Sequence, residues 1–496
     1  MNSEKTAKET DSNTIQDVAT NFTPYDTSSH TGELLALDAA HVWHPFTPMK
    51  QWREQPQLII ERGQGCYLFD TDGRRYIDGT SSLWCNVHGH RVPAIDQAIR
   101  NQLDLVAHST LLGLANEPSI RFAAKLVQAA PAGLNKVFYS DAGATAVEVA
   151  FKMAVGYWHH RGREKKTRFI GLEGAYHGDT TGSMSVGYSD LFHRPFVSMV
   201  FPTWWLPSPD AVRAPQAVLD KLPADHTPSS PWPTQDAVLG NAINEHCLGI
   251  LEAHLKVHAH ETAAIVLEPG MQGAAGMIPQ PAGFLKGVQK LARQYEVLVI
   301  ADEVAVGFGR TGSMFACEHE GVEPDILCVA KGITGGYLPL AATLMTDEIE
   351  AAFTGELADR RTLYHGHTYT GNPLACAAAL ASLQLFETTD LLERINTSAT
   401  LMEDRLETLK GNEHVLDVRQ RGIMAGIELC ASRTERQPFD FSKRTAAALC
   451  HAMRDKGLII RPLGDVIVLM PIPAMPQSML HEMLDIVIET IENWQW

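Results

Sequence analysis

Positive charge is scarce in this chain. Lysine and arginine number 41 against 58 aspartates and glutamates in 496 residues, a formal charge of −17, and that balance lacks the basic stripe a nucleic-acid partner needs. Solubility is the simplest use of the excess. No apolar run approaches the roughly 20 residues that span a bilayer, so no membrane partner is expected. Eight cysteines are scattered without one C-x-x-C pair. That fits reduced, mostly buried thiols of a cytoplasmic protein better than a disulfide framework or a zinc site, and no structural metal is expected. The opening stretch, MNSEKTAKETDSNTIQD, is polar and mixed in charge, unlike a signal or transit peptide.

What is present is a soluble, globular composition, with 45% hydrophobic and 20% charged residues and length enough for two or three domains. Residues 1–33 read as a polar tail. Residues 34–105 read as the N-terminal part of a small α+β domain, with a meander signalled by Asp-Gly turns and a helix near Pro93–Leu105. Over 106–384 apolar runs alternate with longer helical stretches, the mark of a large α/β domain with a mainly parallel, doubly wound sheet. A Pro-rich excursion at 204–235 interrupts it. The remainder, 385–496, returns to α+β character and ends in a helix after Pro476 with Met479, Leu480, Met483, Leu484, Val487, Ile488 and Ile491 on one stripe.

Five apolar runs, Lys136–Tyr139, Arg168–Leu172, Ala263–Leu267, Leu298–Ala301 and Ile326–Ala330, each end in polar sequence. In a right-handed parallel sheet those ends share one rim, where ligands bind. Asp302 and Lys331 stand there. An amine and an acid so placed suit pyridoxal phosphate (PLP), Lys331 attaching the aldehyde and Asp302 keeping the ring nitrogen protonated. Taken singly, each is equally a surface lysine or a turn-capping acid. Gly143-Ala144-Thr145 opens a helix, and the amides there would hold a phosphate, although a plain glycine turn reads the same way. That helix carries an apolar face, Val147, Phe151, Ala154 and Trp158, and an expected i,i+4 pair, Glu148 with Lys152. Tyr176 offers an aromatic face for a planar ring.

Together Ser140-Asp-Ala-Gly-Ala-Thr-Ala-Val-Glu148, Tyr176-His-Gly-Asp179, Ala301-Asp-Glu-Val with Gly307-Phe-Gly-Arg310, Lys331, and His367-Thr-Tyr-Thr-Gly-Asn-Pro373 resemble the class III, ω-amino-acid type aminotransferases of PLP fold type I. The likeness extends from about Leu37 to the C-terminus. It implies catalytic roles for Lys331, Asp302 and Tyr176, and phosphate contacts from Gly143 and Ala144. It also implies that Thr368 reaches the phosphate of a neighbouring subunit in a homodimer. A narrower likeness rests on His41-Val-Trp-His-Pro-Phe-Thr-Pro-Met49, Ser81-Ser-Leu-Trp-Cys-Asn-Val-His-Gly89 and Arg461-Pro-Leu-Gly464. These are similar to the branch of the class that serves biotin biosynthesis, aminating an amino-oxo fatty acid. By that similarity Arg461 would pair with the substrate carboxylate, and Trp84, Phe46 and Gly366 would line the substrate pocket. Better-known members carry a serine where Ala144 stands, and Tyr and Trp in place of Phe46 and Leu83.

The expectation is therefore a transaminase working in two half-reactions on small-molecule substrates, with S-adenosylmethionine as donor. Lysine as donor, another ω-amino-acid aminotransferase, and a catalytically inactive PLP-fold binding module are the alternatives. Intact Lys331 and Asp302 weigh against the last.

Overall fold

The computed structural model describes residues 28–55, 57–228 and 230–496. The polar tail lies outside them as far as residue 27, but its last residues are ordered differently from expectation. Ser29 accepts the Gly32 N–H at 3.0 Å and starts a helix, α1 (His30–His41). A serine there satisfies one of the amides a helix start leaves unpaired.

The meander forms as its turns require: β1 (Ile60–Gln64), β2 (Tyr67–Asp70) and β3 (Arg75–Asp78) pair antiparallel in that order. Asp70 closes the second turn, taking the Asp72 and Arg74 N–H groups on its carboxylate. Two helices follow, α2 (Pro93–Leu103) and α3 (Glu117–Ala129), each with proline in its first turn, where a missing N–H costs nothing.

The large sheet comprises β4 (Leu134–Ser140), β5 (Arg168–Leu172), β6 (Trp204–Leu206), β7 (Thr262–Leu267), β8 (Leu298–Asp302), β9 (Ile326–Val329) and β10 (Ala341–Thr346), in the order β4-β10-β9-β8-β7-β5-β6. Neighbours from β9 through β6 are parallel, and β10 alone runs against both of its neighbours. Strands β7, β8 and β9 are buried at every position, the reason they read as unbroken apolar runs. Trp204–Leu206, read from sequence as the start of the excursion, is the edge strand. Farther along the excursion Trp232 is buried, and the Thr234 hydroxyl donates to Asp417.

Between β4 and β5 runs α4 (Gly143–His160), whose Val147, Phe151, Ala154 and Trp158 are all buried. The expected Glu148–Lys152 pair does not form. Glu148 instead accepts the Gly182 N–H at 2.7 Å, and the Lys152 ammonium donates to the Tyr364 carbonyl at 3.0 Å. Fixed backbone partners outweigh a solvent-screened pair of this kind. The Ala-rich helix α5 (Pro373–Thr388) packs on α2, α3 and the turn after β9.

The C-terminal part forms a separate antiparallel sheet: β11 (Val415–Arg421), β12 (Met424–Leu429), β14 (Arg461–Leu463) and β15 (Val466–Leu469), ordered β11-β12-β15-β14. One short strand, β13 (Leu458–Ile459), leaves it and pairs parallel with β3, joining the two ends of the chain. The closing helix α6 (Gln477–Glu492) buries Leu480, Met483, Leu484, Val487, Ile488 and Ile491 of the stripe, while Met479 is half-buried at its start. All eight cysteines are free and seven are buried. Among the described residues no helix is long and apolar enough to cross a membrane.

Candidate active site

A cavity of about 670 Å³ lies at the carboxyl ends of the parallel strands. Its walls include Asp141 to Ala144 after β4, Tyr176 to Thr180 after β5, Glu268 after β7, Asp302 closing β8 and Lys331 following β9. The run-ends converge as the sheet topology demands.

Lys331 has a φ of 46°, a left-handed backbone that costs a lysine roughly 1–2 kcal/mol. Its Nζ lies 4.9 Å from the centre of the Trp84 ring. Enclosure by protein lowers the pKa of this amine, with Asp302 and Glu268 opposing the shift. A lysine held toward its neutral form is a better nucleophile and proton acceptor.

Asp302 is held on both oxygens. Val304 N–H donates to Oδ1 at 3.0 Å, and His177 Nδ1–H donates to Oδ2 at 2.6 Å. Burial works against a charged His177, but the Asp302 carboxylate outweighs it and moves the imidazole pKa up. Among the described residues His177 Nε2 has no hydrogen-bond partner, and Glu268 is the next charge it senses. Glu268 itself is buried, accepts N–H groups from Tyr176 at 3.3 Å and Gly273 at 2.8 Å, and is pushed by burial up to about 7.

Tyr176 is tethered at two points, through its backbone to Glu268 and through its hydroxyl, which donates to Asp179 Oδ2 at 2.7 Å. Burial raises the phenol's pKa and the Asp179 contact adds to it. The hydroxyl therefore keeps its proton.

Trp84 sits in a four-residue left-handed turn, Ser81 to Trp84, with φ between 49° and 69° throughout. Such a turn needs outside support. Arg310 supplies much of it: the buried guanidinium donates to Ser81 Oγ at 3.1 Å, Pro471 O at 2.7 Å and Asn86 O at 3.0 Å. Burial without a carboxylate partner lowers this arginine to about 10. Asp78 holds the other side, accepting both the amide and the hydroxyl of Ser82.

At the start of α4, Thr145 Oγ1 turns back to Asp141 at 2.8 Å and to the Ala142 backbone, and Gly143 and Ala144, the first residues of the helix, line the cavity. A Cβ added at Gly143 would sit 2.6 Å from the Val304 side chain. An amine, an anchored carboxylate, an aromatic ring and an open helix N-terminus make a donor set that fits pyridoxal phosphate.

Four sequence-predicted residues stand outside this cavity. Phe46 is exposed, with its ring edge-on to Phe192 at 5.7 Å. Arg461 is exposed at the start of β14. Gly366 and Thr368 are exposed on the loop before α5. Conversely, His177 and Glu268 surround Asp302 without having been assigned a role from sequence. Their only signal was position, beside Tyr176 and at a run-end.

Residues 49–491 match the family described as Aminotransferase class-III. An adenosylmethionine-8-amino-7-oxononanoate aminotransferase of Nitratidesulfovibrio vulgaris is 50% identical over 475 residues, covering 95% of this chain and 83% of that protein. One of Geobacter sulfurreducens is 46% identical over 469 residues, covering 95% and 98%. The crystal structure of the enzyme so named from Methanocaldococcus jannaschii superposes with a TM-score of 0.85 at 42% identity, covering 94% of this chain and 100% of that one. A PLP-bound amine transaminase from an uncultivated Pseudomonas species gives a TM-score of 0.83 at 32% identity, covering 91% and 98%.

Proposed function

The chain belongs to the class-III aminotransferases and is a PLP-dependent transaminase, and from that premise we propose that it converts 8-amino-7-oxononanoate to 7,8-diaminononanoate in biotin biosynthesis, with S-adenosylmethionine as amino donor. The observation that carries this substrate assignment is the identity of 44 to 50% to several proteins of that name over more than nine-tenths of the chain. Pyridoxal phosphate, when bound, supplies an aldehyde that takes up amino groups and a protonated ring that accepts electron density. Lys331 is its attachment point and, when displaced by the donor amine, takes and returns the proton of the reacting carbon at Nζ. Asp302, pinned by His177 and Val304, keeps its charge toward the ring nitrogen. Tyr176 would lie against the ring face, and Gly143 and Ala144 at the start of α4 would hold the phosphate. Trp84 walls the aliphatic chain of the substrate, with Phe46 and Gly366 farther out and Arg461 receiving its carboxylate.

The active unit in this reading is a cytoplasmic homodimer in which Thr368 serves the partner's phosphate site. Exposed Leu105, Leu112, Tyr364 and Tyr369 support it, because large apolar side chains on an open surface favour being covered. His108 packs against Tyr369, and the Asn372 side-chain amide donates to the Ala107 carbonyl, so these two segments share that surface.

The test supplies purified holoenzyme with 8-amino-7-oxononanoate and either S-adenosylmethionine or lysine, and follows 7,8-diaminononanoate by mass spectrometry. Product with S-adenosylmethionine is expected. Product with lysine alone would overturn the donor, and no product with any amine would overturn the acceptor.

A further inference from the structure

His193 lies outside the cavity wall, yet its environment points it at the cavity. It ends a short helical turn, Asp190–His193, and is 2% exposed. The Ser189 N–H donates to its Nδ1 at 3.0 Å, so Nδ1 is an acceptor and the ring proton of the neutral imidazole resides on Nε2. Among the described residues Nε2 has no hydrogen-bond partner, and it is buried. Asp179 Oδ1 lies 3.7 Å from it. The other oxygen of the same carboxylate accepts the Tyr176 hydroxyl at 2.7 Å.

The side chains of Asp179 and His193 differ sharply in freedom. The Asp179 side chain is half exposed and that of His193 is 3% exposed. A half-exposed carboxylate has other rotamers within reach, and water can take either oxygen. A second donor on the opposite oxygen, carried by a buried ring, would remove that freedom. The imidazole is itself boxed in by Tyr188 and Phe192, whose ring centres are 5.9 and 6.0 Å away. Closing the gap to a full hydrogen bond needs only a movement of roughly 0.5–1 Å.

We propose that His193 is a positioning residue that fixes the plane of the Tyr176 ring against the cofactor by holding Asp179 from behind. The proposal rests on the reading of Tyr176 as the residue that lies on the cofactor ring. It extends the site by one layer, through Nε2–H to Oδ1, and through Oδ2 to the phenol hydroxyl. His193 touches neither substrate nor cofactor. Its effect reaches them only through Asp179 and Tyr176.

The experiment compares holoenzyme carrying His193→Phe, which keeps a ring but no N–H, with His193→Gln, whose amide nitrogen can reach where Nε2 stands. Tyr176→Phe and the double variant with His193→Phe complete a cycle. The readouts are the visible circular dichroism of the bound cofactor, which reports ring orientation, and kcat/KM of the donor half-reaction. His193→Phe is expected to change the dichroic band and lower kcat/KM roughly 10- to 100-fold, as small misplacements of reacting groups do. His193→Gln should stay near the parent on both. In the Tyr176→Phe background, His193→Phe should add no more than about twofold. If His193→Phe does not fold, His193→Asn, too short to reach Asp179, takes its place with the same expectation. Two results would overturn the role of His193 while leaving the reading of Tyr176 intact: parent-like behaviour of His193→Phe beside a changed band in Tyr176→Phe, or losses that multiply in the double variant. An unchanged band in both Tyr176→Phe and Tyr176→Ala would instead remove the reading of Tyr176, and the proposal with it.

Discussion

His177 Nδ1 lies 2.6 Å from Asp302 Oδ2, and neither side chain reaches solvent to any extent. Against the opposing effect of burial, the Asp302 carboxylate raises the pKa of the imidazole that donates to it, so this buried ring stays a donor to Oδ2 and fixes how the carboxylate is turned toward the cavity.

From that pairing follows the first prediction. Asp302→Asn keeps the shape and the Val304 contact but removes the negative charge. Cofactor should still bind, seen as stoichiometric visible absorbance after gel filtration, while kcat falls by roughly 100-fold or more, the scale of losing a fixed charge at a reacting centre. Turnover equal to the parent would sink the role given to Asp302.

Lys331→Ala removes both the attachment point and the proton carrier. Loss of covalently held cofactor, checked by borohydride reduction and mass spectrometry, should accompany a fall in turnover of several orders of magnitude. Phe308 and Val87 crowd the backbone beside it at Gly332, so the strand end should keep its place and the melting temperature should change little.

Much of this site was legible in the sequence because parallel strands buried on both faces leave unmistakable apolar runs, and because the ends of such strands share a rim. That logic located Asp302, Lys331, Tyr176 and the Gly143–Ala144 turn without coordinates. It could not pair His177 with Asp302, 125 residues apart, since nothing local to either residue encodes the contact. The left-handed turn at Ser81–Trp84 was equally hidden. Its sequence contains no glycine, and besides nearby Asp78 its support comes from Arg310 and Met470, 229 and 389 residues from Ser81. Glu148 and Lys152 failed for the converse reason: a helical spacing permits an ion pair, and tertiary partners took both groups first.

Glu268 links stability to pH. Its folded pKa of about 7 exceeds the ordinary 4.5, so the folded state holds this proton more tightly than the unfolded one. Stability from this group is therefore complete below the unfolded pKa and is lost as pH rises toward 7. The loss is at most about 3 kcal/mol by linkage. In cofactor-free protein, Glu268→Gln should melt below the parent at pH 5, where it has lost an acceptor for the Gly273 N–H, and the gap should narrow or reverse by pH 8. A gap independent of pH, measured by differential scanning fluorimetry, would contradict the assignment.

Thr368 offers a test of the composite site. Thr368→Ala should weaken cofactor affinity roughly tenfold, as loss of one hydrogen bond to a charged group does. Mixed with Lys331→Ala subunits, it should form heterodimers with one doubly altered site and one intact site. Cofactor titration should then recover one tight, active site per heterodimer. If Thr368 served its own subunit, neither site would be intact, and no such recovery would occur.

The pairing of β3 with β13, and the hydrogen bond from Ser81 Oγ to the Met470 carbonyl, bridge positions 389 residues apart in the second case. On the ribosome, the segment bearing Trp84 emerges early and then waits through almost the whole of synthesis for the strands that lock it. Until those last residues arrive, the wall opposite Lys331 lacks the Met470 contact and the Pro471 anchor of Arg310, so the nascent chain cannot present a finished pocket however well the central sheet has formed. Closing contacts of such long sequence separation also slows folding. Refolding from denaturant should regain sheet content well before cofactor capture, and a chain ending ahead of Leu458 should never reach the second stage.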